Sequence, residues 1–185
     1  RNQRKKNIKF EKDAENVTRD IKNAINLGIQ CAFICSPASF HVHQATILAK
    51  NKIDFLMEKP ISNSSKNISK LLYLVKKNKI TAQVGYVLKE LKSFKKLKEK
   101  IKLRKISSVY CEALSYLPDW RKDSYKNYSS SYKSLGGGAL LELSHEIDYI
   151  RNLFGDISEV SSHLIFSKNL NIGVESGANL IFKLK

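Results

Sequence analysis

The sequence predicts an α/β chain, a parallel sheet with crossover helices, followed by the start of an α+β unit with an antiparallel sheet. Three observations carry this expectation. Short apolar runs at residues 30–35, 53–57 and 80–86 alternate with segments of helical periodicity. That alternation stops after Tyr86. Further on, the apolar runs 160–166 and 174–184 follow one another with no helical pattern between them.

The elements follow in order. Residues 14–27 carry Val17, Ile21, Ala24 and Ile25 at helical spacing, with Gly28 as the stop. A strand is expected at 30–35 and a helix at 40–50. The run 53–57 reads as a buried strand. Residues 67–77 place Ile68, Leu71, Leu72 and Val75 on one helix stripe. The strand 80–86 closes the alternating part. A lysine-rich helix is expected over 88–102 and a longer strand, rich in β-branched and aromatic residues, over 106–116. Residues 117–135 are loop-like. Leu140, Leu143, Ile147, Ile150 and Phe154 form the apolar face of a helix over 139–154, which Gly155 ends. The strands 160–166 and 174–184 pair antiparallel. The expected division is 1–87 and 88–185.

Composition narrows the function class. The chain has 185 residues, and no apolar run approaches the length of a membrane span. With no signal peptide at its start, the expected location is the cytoplasm. Cys31 and Cys35 lie on one strand, roughly 13 Å apart, too far for a disulfide. With Cys111 they read as reduced, mostly buried thiols. The formal net charge is +16. Such an excess suits a polyanion, but aromatic residues are not interleaved with the basic clusters at 1–9 and 94–105. Lysine, asparagine and isoleucine are all abundant, as an AT-biased coding sequence would make them. The charge therefore reads as compositional, with no specific nucleic-acid partner and no membrane partner. His41 and His43 lack a matching carboxylate or cysteine cluster and read as ordinary side chains, so no metal is expected.

The residues with chemistry gather in three segments. Glu58-Lys59-Pro60 follows the run 53–57. In open α/β sheets the carboxyl ends of the strands are where ligands bind. Proline holds the preceding lysine extended, so its ammonium can bind a substrate oxygen, although the tripeptide taken alone reads first as a strand ending in a solvated salt pair. Gly136-Gly137-Gly138 leads into a helix on which Glu142, His145 and Asp148 are spaced i, i+3, i+6, a slanting polar strip. Histidine ordinarily titrates near neutrality, which suits a general base. Cys35-Ser36-Pro37-Ala38-Ser39-Phe40-His41 follows the first apolar run. There Ser36 reads equally as a helix cap beside a buried histidine.

These segments, in this order, resemble the Gfo/Idh/MocA family of nicotinamide-dependent oxidoreductases, over nearly the whole chain. The resemblance implies a partial Rossmann-type sheet, lacking its first βα unit, then part of a substrate and oligomerisation domain. It implies NAD or NADP as cofactor and hydride transfer to or from a carbinol carbon of a sugar, nucleotide sugar or cyclitol. Lys59 matches the lysine that contacts cofactor and reacting oxygen, and His145 the histidine that exchanges the hydroxyl proton. Asp148 matches an acid three residues later. Where the family often has an aspartate four residues before the histidine this chain has Leu141, and Glu142 is the substitute. Ser36, Pro37, His41 and Glu58 match segments beside the cofactor. Tyr86 matches a residue of the substrate cleft, although Lys89-Glu90-Leu91 stands where Arg-Phe-His is common. Trp120 and Arg121 resemble a loop that approaches substrate and cofactor, and Trp120 reads equally as a packing anchor. Arg1 falls where the adenosine ribose is read. The family's G-x-G-x-x-G turn is not in this sequence, which therefore reads as truncated at both ends. Alone it is expected to hold a dinucleotide weakly. Full-length members are expected to be homo-oligomers. The rival readings are a non-catalytic remnant and a basic polyanion-binding module.

Overall fold

Helix α1, Ile21–Asn26, begins where Asp20 accepts the Lys22 N–H at 2.9 Å on its carboxylate. It is shorter than the periodicity of residues 14–27 suggests. Upstream, the Asp20 N–H turns back onto the Thr18 hydroxyl at 3.2 Å, which competes with a helical conformation there. The computed structural model describes residues 14–185, so Arg1 and its expected ribose contact lie outside the described residues.

Strands β1 (Cys31–Ile34), β2 (Asp54–Met57) and β3 (Ala82–Val84) form a parallel sheet in the order β1-β2-β3. Cys31 pairs with Asp54, and Phe55 with Ala82. Parallel neighbours need crossovers, supplied by helices α2 (Ala38–Lys50) and α3 (Ile68–Asn78). Helix α2 packs on β1, β2 and α3. Ile34, Val42, Leu48, Phe55, Met57 and Leu71 are the centre of the core. Burying each such side chain contributes about 1.5–3 kcal/mol.

Among the described residues, only one face of this sheet is covered. Ile34, Phe55 and Met57 point into the core, whereas Phe33 on the opposite face is 73% exposed. Cys31 and Cys35 share the parity of Phe33, and both are exposed. The expectation of buried thiols is therefore wrong for these two. Cys111 is half-buried, with its Sγ 2.5 Å from the Tyr149 hydroxyl.

The second part diverges more from expectation. A 3₁₀ turn, Val87–Glu90, precedes helix α4, Lys92–Lys102. Residues 106–116 form no strand, and residues 117–135 run through four short 3₁₀ turns. Helices α5 (Ala139–Glu142) and α6 (His145–Phe154) replace the single helix expected over 139–154. Strands β4 (Ile157–Ile165) and β5 (Gly177–Leu184) pair antiparallel, with Val160 opposite Phe182.

An open cleft of about 1110 Å³ explains the missing strand. Residues 106–115 line one side, β5 another, and Ile147, Ile150 and Phe154 of α6 a third. An extended segment becomes a strand only when another strand takes its ladder hydrogen bonds, and among the described residues none does so here. The apolar face of α6 therefore borders a cleft rather than a packed core. No helix of the described residues is long and apolar enough to cross a membrane.

Candidate active site

The site begins at the carboxyl ends of β2 and β3. The Glu58 N–H donates to the Ile34 carbonyl at 2.9 Å, and the Gly85 N–H to the Met57 carbonyl at 2.7 Å. These bonds carry the sheet one residue past its strands and aim Lys59 and Tyr86 outward. The Lys59–Pro60 peptide is cis. The Lys59 ammonium donates to the Glu142 carbonyl at 2.6 Å and lies 3.5 Å from Glu142 Oε2.

That contact accounts for the broken helix. In a continuous helix the Glu142 carbonyl would accept the N–H four residues on. Here the ammonium of Lys59 takes it, Leu143 leaves helical geometry at φ −100, ψ 36, and Ser144 starts α6. Glu142 and His145 therefore sit at two helix ends facing one junction. The continuous strip expected through Glu142, His145 and Asp148 does not form.

Tyr86 reaches the same junction from β3. Its hydroxyl donates to Ser144 Oγ at 3.3 Å, and its ring meets the His145 ring edge-on at 5.6 Å. Lys89 stands 5.7 Å over the Tyr86 ring and 3.7 Å from Asp148 Oδ1. His145 Nδ1 is buried and has no hydrogen-bond partner among the described residues. Such an atom carries a desolvation penalty unless another molecule partners it.

The glycine run holds this junction. Gly136 has φ +88, and a Cβ there would come 2.8 Å from Ala38 Cβ at the start of α2. Gly138, at φ +115, leaves the space that the Glu175 carboxylate fills. Glu175 in turn accepts the Ala139 N–H on its carbonyl at 3.0 Å and the Leu140 N–H on Oε1 at 3.1 Å. Gly137 lies against the Ser129 and Ser130 carbonyls, backbone atoms that a Cβ would overlap. Gly137→Ala is expected to cost about 1–3 kcal/mol, the usual scale of overpacking. Urea unfolding should show a lower midpoint at unchanged slope. An unchanged midpoint would mean that the turn opens freely.

At the start of α2 the structure revises two readings. Ser36 is not the helix cap: Pro37 occupies that position, and Ser36 Oγ donates to Gln44 Oε1 at 2.7 Å. His41 is 1% exposed. Its Nδ1 lies 2.8 Å from the Pro60 carbonyl and its Nε2 2.7 Å from the Ser36 carbonyl. His41 thus ties the β1 and β2 loops together from the core side and presents no free edge to a cofactor. Ser39 was not singled out, yet its Oγ is buried in the first turn of α2 with no partner among the described residues. A helix amino terminus with an unpaired donor nearby suits an anion.

Trp120 and Arg121 are held on their own loop. The Trp120 indole donates to Ser115 Oγ at 2.5 Å, and the Arg121 guanidinium stacks 5.0 Å from the Tyr128 ring. Those contacts place both with residues of 115–128 and not against Lys59 or His145. Below the junction, burial pushes the Tyr149 phenol above its usual range, and the hydrogen bond and charge of Cys111, then Glu146, add to it. Tyr149 stays neutral and is a packing element of α6. Among the described residues no cluster of three or more His, Cys, Asp or Glu could hold a metal ion.

Comparison with known proteins bears on the fold. A family model described as an oxidoreductase family with an NAD-binding Rossmann fold matches residues 1–86. The uncharacterized oxidoreductase YrbE of Bacillus subtilis (strain 168) is 28% identical over 149 residues, covering 79% of this chain and 42% of the relative. The rhizopine catabolism protein MocA of Rhizobium meliloti is 25% identical over 123 residues, covering 66% and 37%. The chain thus spans less than half the length of these curated relatives. Among solved structures, the WlbA dehydrogenase of Bordetella pertussis, in complex with NADH and UDP-GlcNAcA, superimposes with a TM-score of 0.76 at 15% identity. That match covers 96% of this chain and 52% of WlbA. Levoglucosan dehydrogenase, in complex with NADH and levoglucosan, gives 0.75 at 24%, covering 93% and 49%. These structural matches speak for the fold alone.

Proposed function

Because this chain belongs to the Gfo/Idh/MocA family of oxidoreductases, we propose that it carries the catalytic junction of a nicotinamide-dependent dehydrogenase acting on a sugar-like alcohol. Residues up to about 87 supply the cofactor side, and those beyond it the substrate side. The observation that carries the reading is the convergence of two strand ends on one helix break. Lys59 reaches Glu142, and Tyr86 reaches Ser144 and His145.

A nicotinamide dinucleotide fits the residues present. The Ser39 hydroxyl, without a partner among the described residues, and the first N–H groups of α2 lie beside Ser36 and Pro37, where phosphate or ribose oxygens would find donors. Glu58 and Lys59 border the same sheet edge. When bound, the nicotinamide takes or gives the hydride. An ammonium carries three N–H donors. In Lys59 one goes to the Glu142 carbonyl and a second faces its carboxylate, which leaves a third for the reacting oxygen. There it would stabilise the alkoxide that forms as the hydroxyl proton leaves. His145 accepts that proton during oxidation and returns it during reduction. Asp148 holds Lys89 beside Tyr86, so the substrate is met by hydroxyl, ammonium and carboxylate groups together. Such a mixed polar surface suits a polyhydroxylated ring.

The test is calorimetric titration with NADH and NADPH of the protein expressed from its complete coding sequence, followed by a screen of sugar alcohols for nicotinamide reduction. Micromolar binding with turnover is the expected result. No binding of either cofactor would remove the reading in favour of a remnant that keeps only the fold.

A further inference from the structure

Ser130 lies in the 3₁₀ turn Ser129–Ser131, inside the serine- and tyrosine-rich loop. Its hydroxyl donates to Glu142 Oε1 at 2.6 Å. The other carboxylate oxygen, Oε2, is the one 3.5 Å from the Lys59 ammonium. Ser130 is itself fixed from behind. Its carbonyl accepts the Gly138 N–H at 3.0 Å, and the bare Cα of Gly137 lets the turn sit directly on the glycine run.

A glutamate at a helix end turns among several staggered rotamers unless something holds it. A lysine beside it is the obvious partner for a close, charge-assisted contact at about 2.7–2.9 Å. The observed 3.5 Å is longer than that, and the short bond of this carboxylate goes to the serine instead. We infer that Ser130 is a positioning residue, which restrains Glu142 so that its carboxylate does not close onto Lys59 and draw the ammonium away from the reacting oxygen. Without the hydroxyl, Glu142 turns toward Lys59, shortens the 3.5 Å contact and pulls the ammonium out of place. The glycine run thereby acquires a second role: it seats the loop that sets the lysine.

The inference rests on Lys59 binding the reacting oxygen, so the experiment tests both separately. In the protein expressed from its complete coding sequence, kcat, KM for each substrate and the unfolding midpoint are measured for Lys59→Ala, Ser130→Ala, Ser130→Thr, Glu142→Gln and the Ser130→Ala/Glu142→Gln pair. Ser130→Ala is expected to lower kcat on the order of ten-fold, the scale of one hydrogen bond to a charged group. KM for the cofactor and the unfolding midpoint should stay unchanged. Ser130→Thr, which keeps the hydroxyl, should restore most of the rate. In the Glu142→Gln background Ser130→Ala should have almost no further effect, because the charge it restrains is gone. Full turnover in Lys59→Ala would overturn the catalytic reading and this inference with it. Loss of turnover in Lys59→Ala, with Ser130→Ala unaffected or simply additive to Glu142→Gln, would overturn this inference alone. A Ser130→Ala variant too unstable to assay leaves Ser130→Thr to decide: lost activity there, in a folded protein, counts against the inference.

Discussion

In the protein expressed from its complete coding sequence, His145→Asn is expected to lower turnover of an alcohol substrate by about 10²–10⁴-fold, the range usual for loss of a general acid–base group. Asparagine keeps a polar side chain of similar reach but cannot carry a proton to and fro. Measuring both reaction directions is the sharper readout. As the proposed base, His145 shuttles the proton in both directions, so His145→Asn is expected to slow oxidation and reduction alike. The structural basis is the burial of His145 Nδ1 with no partner among the described residues, beside the Tyr86 ring. A variant with unaltered turnover in both directions would assign the base to another group.

Lys59→Ala is expected to cost on the order of 10²–10³-fold in kcat, the scale for removal of one preorganised donor to a developing oxyanion. A loss of 10²-fold corresponds to about 2.7 kcal/mol of transition-state stabilisation. The effect should fall on kcat more than on KM, since the alkoxide charge develops only as the proton departs. Folding should change little, because the side chain sits beyond the end of β2 and the core beneath is Met57, Phe55 and Leu48. One structural consequence is expected as well. The Glu142 carbonyl, freed from the ammonium, can accept the helical N–H it lacks, so α5 and α6 would join. Amide exchange at Glu146 should slow in Lys59→Ala, a readout independent of turnover. Near-normal turnover in this variant would take Lys59 out of the mechanism.

Much of the molecule was legible in the chain itself. Alternating apolar runs and helical stripes are local patterns, so the parallel sheet and its crossover helices follow from residues such as Phe55, Met57, Leu48 and Leu71. The proline after Lys59, and the glycines before Ala139, marked the two ends of the site for equally local reasons. The strands 160–166 and 174–184 pair as their spacing suggests, with ends shifted by a few residues, as element boundaries commonly are.

Contacts between distant segments decided the rest. The residues 106–116 have strand composition, but a strand exists only against a partner, and that is a property of the assembled sheet. Cys31 and Phe33 are exposed because one face of the sheet is uncovered, which no residue in β1 encodes. His41 matches a cofactor-side segment in sequence and becomes a clasp only when the Ser36 and Pro60 carbonyls close on it. Ser130 is one serine among several until Gly137 and Gly138 bring its hydroxyl to Glu142. The strip of Glu142, His145 and Asp148 is continuous in an ideal helix. It breaks at Leu143, where the Glu142 carbonyl accepts an ammonium 83 positions away in sequence. Periodicity and turn chemistry act within a few residues and can be read along the chain. A hydrogen bond has no such range in sequence, and where two candidates compete for one carbonyl, only the folded geometry chooses between them.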